Sequence, residues 1–283
     1  MPALTLSLAY GQPYDWPALL RFFAARAIPG VDEVEGLAYR RTFAIGRGQG
    51  RLCISPAKGA LIAEISTKGK ADEVSLAEKL RRLFDLDASG KRIAAHLKRD
   101  DRLSGSLKKR PGLRVPGVWD PFELGVRAIL GQQVSVAAAS TLAGRIAMKF
   151  GKKTTKGHAT LTHLFPNAED LGEANLSGLG LTTRRAATVT GFARAVASDP
   201  ALLSTDQPLD LFVTRIANLN GFGPWTAHYM AMRMGHADAF PASDLGVRKA
   251  LNTTSDKEVL RLAEPWRPYR AYATMHLWAS LSD

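Results

Sequence analysis

The sequence predicts an α+β fold in which a mixed N-terminal region built on an antiparallel sheet precedes an all-helical remainder. Two observations carry this. Four short runs of strand composition, LTLSLAY, YRRTFAI, GRLCISP and ALIAEIS, fall within the first 88 residues, and turns containing Gly or Pro join the last three, as in an antiparallel meander. From about residue 90 onward the apolar residues recur at i, i+3 or i+4, the period of an amphipathic helix, and the pattern does not revert. At 283 residues the chain is long enough for two or three domains with a sizeable core.

Taken in order, the N-terminal stretch MPALTLSLAYGQPYDW lacks a basic segment before its short apolar run, which Gly11, Pro13 and Asp15 interrupt. It does not read as a secretory signal, and no run approaches the ~18 apolar residues of a membrane span. A helix is expected from Asp15 as N-cap, carrying Leu19, Phe22 and Phe23 and stopping before Pro29-Gly30. A second, SLAEKLRRLFDL, follows the strands. Residues 91–114, KRIAAHLKRDDRLSGSLKKRPGLR, hold nine Lys and Arg against two Asp; they read as a solvated linker or helix face, or as a surface for a polyanion. Helices are expected at 121–130, 134–150, 183–196, 208–219, 225–234, 244–251, 256–264 and 268–280.

A formal charge of +12 argues for a polyanionic partner, since an imbalance of that size repels itself unless phosphates or anionic lipids neutralise it. The single cysteine, Cys53, excludes a disulfide framework, a cysteine-built zinc site and a four-cysteine iron-sulfur cluster, and suits a reducing cytoplasm. The six histidines show no ligand spacing and the carboxylates do not cluster, which argues against a metal-dependent nuclease.

The stretch LNGFGPWTAHYM, residues 219–230, interrupts two helical patterns. Gly221 and Gly223 allow positive φ and leave the backbone bare, so that amides can approach a ligand. Pro224 sits where a first helical turn tolerates a missing N–H. A helix N-terminus with exposed amides is an anion site, and on so basic a chain the anion of choice is a DNA phosphate; a tight helix–helix corner without ligand has the same residues. LSGLGLTTRRAATV, from Leu176, faintly echoes the motif. Trp225 and Tyr229, four apart, share a helix face, either as core or as a stacking surface for an extruded base. Asp244, in FPASDLGVRKAL, reads as a helix cap, but the adjacent Ser243 caps equally well, which leaves the carboxylate available to stabilise a sugar cation and orient a water. A non-enzymatic DNA-binding module would explain the charge and the glycines, with no role for Asp244 or the aromatic pair.

LNGFGPWTA followed by the aspartate of FPASD resembles the hairpin-plus-aspartate signature of the helix-hairpin-helix DNA glycosylases. More narrowly PYDWPALLRFFAARA, RRLFDLD, RPGLRVPG, DPFELGVRAILGQQVSVAAA and EPWRPYRAYATMHLW resemble, in order and over nearly the whole chain, the bacterial 3-methyladenine DNA glycosylase II group. The resemblance implies a sheet-bearing domain at 1–88, a helical domain at 118–237 containing the hairpin, and a second helical domain of 89–117 plus 238–283 carrying the catalytic aspartate. It implies excision of alkylated bases from double-stranded DNA, leaving an abasic site; a DNA-wrapping monomer is the simplest arrangement for such a chain. By motif, Asp244 is the catalytic residue, Trp225, Tyr229, Trp278 and Phe22 line the base pocket, and Leu219, Gly221 and Gly223 bind phosphate, with a monovalent cation on the hairpin carbonyls as the one implied metal and no other cofactor. Relatives that also cut the strand place a Schiff-base lysine two residues after the second hairpin glycine; here that residue is Trp225, so water is the expected nucleophile. At the position where the narrower group inserts an apolar residue into the duplex, this chain has Gln133, whose amide can occupy the gap and bond the orphaned base.

Overall fold

The computed structural model describes residues 3–154 and 158–281. Their packing divides into two units, one of Met1–Ala9, Leu20–Arg81 and Trp119–Ser204, the other of Tyr10–Leu19, Arg82–Val118 and Thr205–Asp283. The resemblance draws its boundaries at 88, 118 and 238; the packing instead groups the sheet with 119–204, and the hairpin with Asp244.

In the first unit the expected runs become β1 (Ala3–Ala9), β3 (Ala38–Ile45), β4 (Gly48–Ala57) and β5 (Ala60–Lys68), with β2 (Asp32–Glu35) between the first two. The sheet is antiparallel in the order β1-β5-β4-β3-β2. β2 is a four-residue strand, DEVE, at the sheet edge; three acids in four residues hide any apolar alternation, and only pairing with β3 makes it a strand. Alternation elsewhere points Leu52, Ile54, Leu61, Ala63 and Ile65 inward, all at most 2% exposed.

α1 (Trp16–Ala24) begins as expected, with Asp15 Oδ1 accepting from the Ala18 amide at 3.0 Å. α5 (Pro121–Leu130), α6 (Val136–Phe150) and α8 (Thr183–Ser198) lie within two residues of their expected spans, whereas the sequence pattern missed the five-residue α7 (Ala168–Gly172) and the short 3-10 helix Pro200–Leu203. Phe122 of α5 stacks on Phe192 of α8, rings 5.5 Å apart. The sheet meets α5 through a buried ion pair: Arg41 Nη2 lies 2.9 Å from Glu123 Oε2, with the two side chains 3% and 8% exposed. Arg41 also donates to the Thr42 carbonyl at 3.0 Å and lies 4.7 Å over the Trp119 ring.

The second unit holds α3 (Gly90–Leu97), α4 (Asp101–Lys109), α9 (Leu209–Ala217), α10 (Pro224–Arg233), α11 (Leu245–Ala250), α12 (Asp256–Ala263) and α13 (Arg270–Ser280). The basic stretch 91–114 is therefore largely helical and no linker. Its charges mask a pattern in which Ile93, Leu97 and Leu103 are buried, and Ser89 and Asp100 cap its two helices. α2 (Glu73–Leu83) leads into this unit, and just past its end Asp85 adopts φ 52°, with the Tyr272 hydroxyl of α13 3.0 Å from both carboxylate oxygens. Burial pushes the Asp85 carboxyl up to about 7, against the opposing charge of Arg114. No helix among the described residues is long and apolar enough to cross a membrane.

Arg41→Met should lower stability by about 3–5 kcal/mol, because buried Glu123 would lose its 2.9 Å partner and keep Arg127, 4.0 Å away, as its described counter-charge; adding Glu123→Leu should restore part of the loss, both read by denaturant unfolding. Asp85 gives a pH dependence of definite sign. With its folded pKa raised from 3.8 to about 7, the folded protein holds a proton that the unfolded chain has released, so this group's stabilisation is complete below pH ~4 and is lost as pH rises through ~7. Thermal melts between pH 4.5 and 8 should show a shallower decline for Asp85→Asn than for the parent.

Candidate functional site

The hairpin forms where the sequence places it. α9 ends at Ala217 with Asn218 as its C-cap, the Phe222 amide closes a turn onto the Leu219 carbonyl at 3.0 Å, and Gly221 takes φ 84°, a conformation that disfavours any side chain. Gly223 corrects the expectation of a second positive φ: it is extended at φ −138° and ψ 176°, the N-cap of α10, and any residue adopts that shape. Nor does packing require glycine there, since a Cβ at position 223 would meet no atom within 4 Å. What remains is open space in front of the helix start, where no side chain caps the first turn and Pro224 stands at its head. A backbone or anion can come close at that place.

From three helices of this unit, three side chains converge. Trp225, in the first turn of α10, donates Nε1–H to Asp244 Oδ2 at 2.9 Å. Trp278, near the end of α13, donates Nε1–H to Asp244 Oδ1 at 2.8 Å. The same Oδ1 accepts from the Val247 amide at 3.0 Å, which makes Asp244 the N-cap of α11. The cap is thus Asp244 and not Ser243, and capping leaves Oδ2 to the indole of Trp225. Three N–H donors from three helices fix the carboxylate, which stays half-buried.

Tyr229 extends the wall. Its ring stacks on Trp225 with centroids 5.3 Å apart and planes 3° from parallel. Its hydroxyl accepts from Arg233 Nη1 at 2.8 Å, and Arg233 donates in turn to the carbonyls of Pro116 and, at 2.7 Å, Gly117. Neither the sequence pattern nor the motif singled out Arg233, although its spacing of four from Tyr229 was a usable signal. Gly246 was missed as well. A Cβ there would lie 2.9 Å from Trp278 Cδ1 and 3.1 Å from Asp244 Oδ1, so glycine is what lets the indole reach the carboxylate. Two residues before Trp278, burial pushes His276 down to about 4, assisted by the charge of Arg110, and its Nδ1 lies 3.0 Å from Ser106 Oγ. It is neutral at pH 7.

Phe22 and Gln133 belong to the other unit. Phe22 is half-buried on α1, edge-on to Phe23, with the Arg26 guanidinium 3.8 Å over its ring. Gln133 is exposed between α5 and α6 in a left-handed conformation, φ 57°, which costs a non-glycine residue about 1–2 kcal/mol. The neighbouring Gln132 carbonyl accepts from Arg185 Nη2 at 2.6 Å, so the turn is tied to the first turn of α8.

Comparison with known proteins adds to this geometry. Residues 5–120 match the AlkA N-terminal domain, and residues 126–267 match the HhH-GPD superfamily base excision DNA repair protein family. The chain is 33% identical to DNA-3-methyladenine glycosylase 2 of Escherichia coli, over 96% of each protein. It is 36% identical to the probable bifunctional transcriptional activator/DNA repair enzyme AlkA of Mycobacterium tuberculosis, over 98% of this chain but 57% of that one, so it spans little more than half the length of that relative. Among solved structures, a 3-methyladenine DNA glycosylase from Archaeoglobus fulgidus superposes with a TM-score of 0.82 at 22% identity, covering 98% of this chain and 97% of the other. The 8-oxoguanine glycosylase/lyase of Clostridium acetobutylicum with double-stranded DNA gives 0.73 at 17% identity, over 89% and 88%. At these identities the structures share a fold.

Gly246→Ala should push the Trp278 indole away from Asp244. The expected result is a shifted Trp278 indole N–H resonance and a net stability loss of about 1 kcal/mol, overpacking outweighing the gain in helix propensity; a parent-like resonance would mean that the ring has room to spare.

Proposed function

The chain belongs to the HhH-GPD superfamily of base excision DNA repair proteins, and from that premise we propose that it is a DNA glycosylase. It extrudes an alkylated nucleotide of the 3-methyladenine type from double-stranded DNA and hydrolyses the bond between base and sugar, leaving an abasic site. The observation that carries the proposal is the Asp244 carboxylate, held by two indole N–H groups in the same unit as a bare glycine turn at a helix start.

The strand docks first. Phosphate lies against Leu219, Gly221 and Gly223, where the α10 N-terminus and the basic surface favour negative charge. The carbonyl oxygens of this turn are neutral donors, and the one of Leu219 keeps a lone pair beyond its bond to Phe222. That donor set fits a monovalent cation, which would add positive charge for the phosphate. Gln133 enters the space left in the stack, the strain of its backbone being spent on presenting that side chain. Flipping costs a few kcal/mol and least for damaged, poorly paired bases, so selection starts before the pocket.

The base then meets the wall of Trp225, Tyr229 and Trp278; Phe22 rests on the resemblance alone. As the glycosidic bond breaks, positive charge develops on the sugar, and Asp244 stabilises it and orients the attacking water. A base that already carries a positive charge leaves without protonation, so the reaction needs no second acid. Position 225 offers an indole, with no amine for a Schiff base, so water is the nucleophile and the strand stays intact. The enzyme works as a monomer in the cytoplasm, where its DNA lies.

The test uses duplex DNA treated with a methylating agent. Parent protein should release methylated bases and leave sites that mild alkali cleaves, whereas Asp244→Asn, whose amide still caps α11, should bind the duplex within a few-fold and release bases at least about 100-fold more slowly. Full release by Asp244→Asn removes the carboxylate from the mechanism, binding without release by the parent leaves a DNA-binding module, and a borohydride-trapped protein–DNA adduct would overturn hydrolysis by water.

A further inference from the structure

Apart from the candidate site, the second unit holds a cavity of about 620 Å³ between α3, α4 and the turn at 111–113, within the size range of small-molecule sites. Helical spacing shapes it. Lys91, Ala94 and Lys98 fall at i, i+3 and i+7 on α3, and Asp101, Ser104 and Lys108 do the same on α4. Each helix therefore turns one face to the cavity, small in its middle and charged at its ends. Ile93, Leu107 and Leu113 add an apolar wall. None of the three lysines takes part in a described ion pair. They stand against one carboxylate, Asp101, among the residues around the cavity. The buried end is polar: His276 of α13, 4% exposed, reaches the cavity, its Nδ1 lies 3.0 Å from Ser106 Oγ, and its Nε2 has no described hydrogen bond.

We propose that this cavity binds a nucleotide with a terminal phosphate, the phosphate at the lysines and the base against the apolar wall. The proposal is independent of the glycosylase reading, because it uses none of the residues assigned to that chemistry. A phosphate monoester carries nearly two negative charges at pH 7, which matches three lysines set against one aspartate. Lysine meets phosphate as a point charge and tolerates several geometries. The faces of a base are apolar enough to gain from Ile93, Leu107 and Leu113, whereas its edge is polar. That edge decides between candidate ligands. A fatty acid also joins an anion to an apolar body, but it offers His276 Nε2 nothing to bond, and a buried polar atom left unpaired is costly. The edge of a base presents both donors and acceptors, so it suits either tautomer of a neutral His276. Such a nucleotide has two sources, a free mononucleotide and the 5′-phosphorylated end of a DNA strand, and the recognition chemistry is the same for both.

The test titrates the full chain, by calorimetry and by the ring resonances of His276, with adenosine 5′-monophosphate, adenosine and decanoate. The monophosphate should bind roughly 3- to 30-fold tighter than adenosine, the combined worth of two or three exposed ion pairs, and should shift the His276 resonances. Lys91→Gln combined with Lys98→Gln should erase that preference. Ala94→Trp, which fills the cavity, should abolish binding of the monophosphate while leaving the thermal melt close to that of the parent. Where the tryptophan variant does not fold, the exposed lysine pair still decides. A preference for the monophosphate that survives loss of both lysines overturns the proposal, because the phosphate then sits elsewhere. So does binding that leaves the His276 resonances unmoved, and so does decanoate binding without nucleotide binding. A single-stranded oligonucleotide with either a 5′-phosphate or a 5′-hydroxyl separates the two sources. A 5′-phosphate advantage in the strand that the lysine variant removes assigns the site to strand ends; the advantage seen with the mononucleotide alone assigns it to free nucleotides. None of these measurements requires base release, so failure of the glycosylase reading and failure of this one are separable.

Discussion

Everything in the candidate site depends on how one carboxylate is held. Asp244 accepts from Trp225, Trp278 and the Val247 amide, at 2.8–3.0 Å. Charge-assisted hydrogen bonds of this kind are the strong ones, and three of them leave the carboxylate little rotational freedom. They also couple elements: the start of α10, the start of α11 and the end of α13 meet at its two oxygens. A group meant to face developing charge has to be fixed before that charge appears, because reorganising it during the reaction would cost the stabilisation it provides. The indoles anchor the carboxylate through their N–H edges, and in the proposed mechanism their faces would also wall the base.

The hairpin and the carboxylate stand in a physical order. The hairpin glycines differ in kind: Gly221 is required by its backbone conformation, whereas Gly223 is required neither by conformation nor by packing. A glycine without an internal reason points outward, to something that must come close. Trp225 begins two residues later, so the turn that would meet a phosphate is covalently next to the ring that anchors Asp244. In the proposed mechanism, binding and chemistry would be linked by a single turn of helix.

The rest of the molecule holds this arrangement with buried polar groups that have partners. Arg41 and Glu123 join the sheet to α5 in the first unit. In the second, Arg233 satisfies the carbonyls of Pro116 and Gly117, and Tyr272 bonds Asp85. Such groups add little net stability, since desolvation offsets much of the attraction, but each makes wrong packings expensive.

The sequence by itself determined the fold class, the four long strands, the position of the hairpin, and the residue types that converge on Asp244, because these follow from local periodicity, turn chemistry and motif. It left β2 undetected and a helix in 91–114 as one of several open readings, since in those segments charge outweighs an apolar pattern that only packing exposes. Which of Ser243 and Asp244 caps α11, the extended backbone of Gly223, the clearance that Gly246 provides for Trp278, and the tie from Arg233 to Tyr229 were decided by tertiary structure. The physical reason is distance along the chain. Asp244 meets partners 19 and 34 residues away, and Arg233 meets carbonyls more than a hundred residues before it. No local propensity encodes a contact of that range; it exists only when the helices that carry its two ends have already packed.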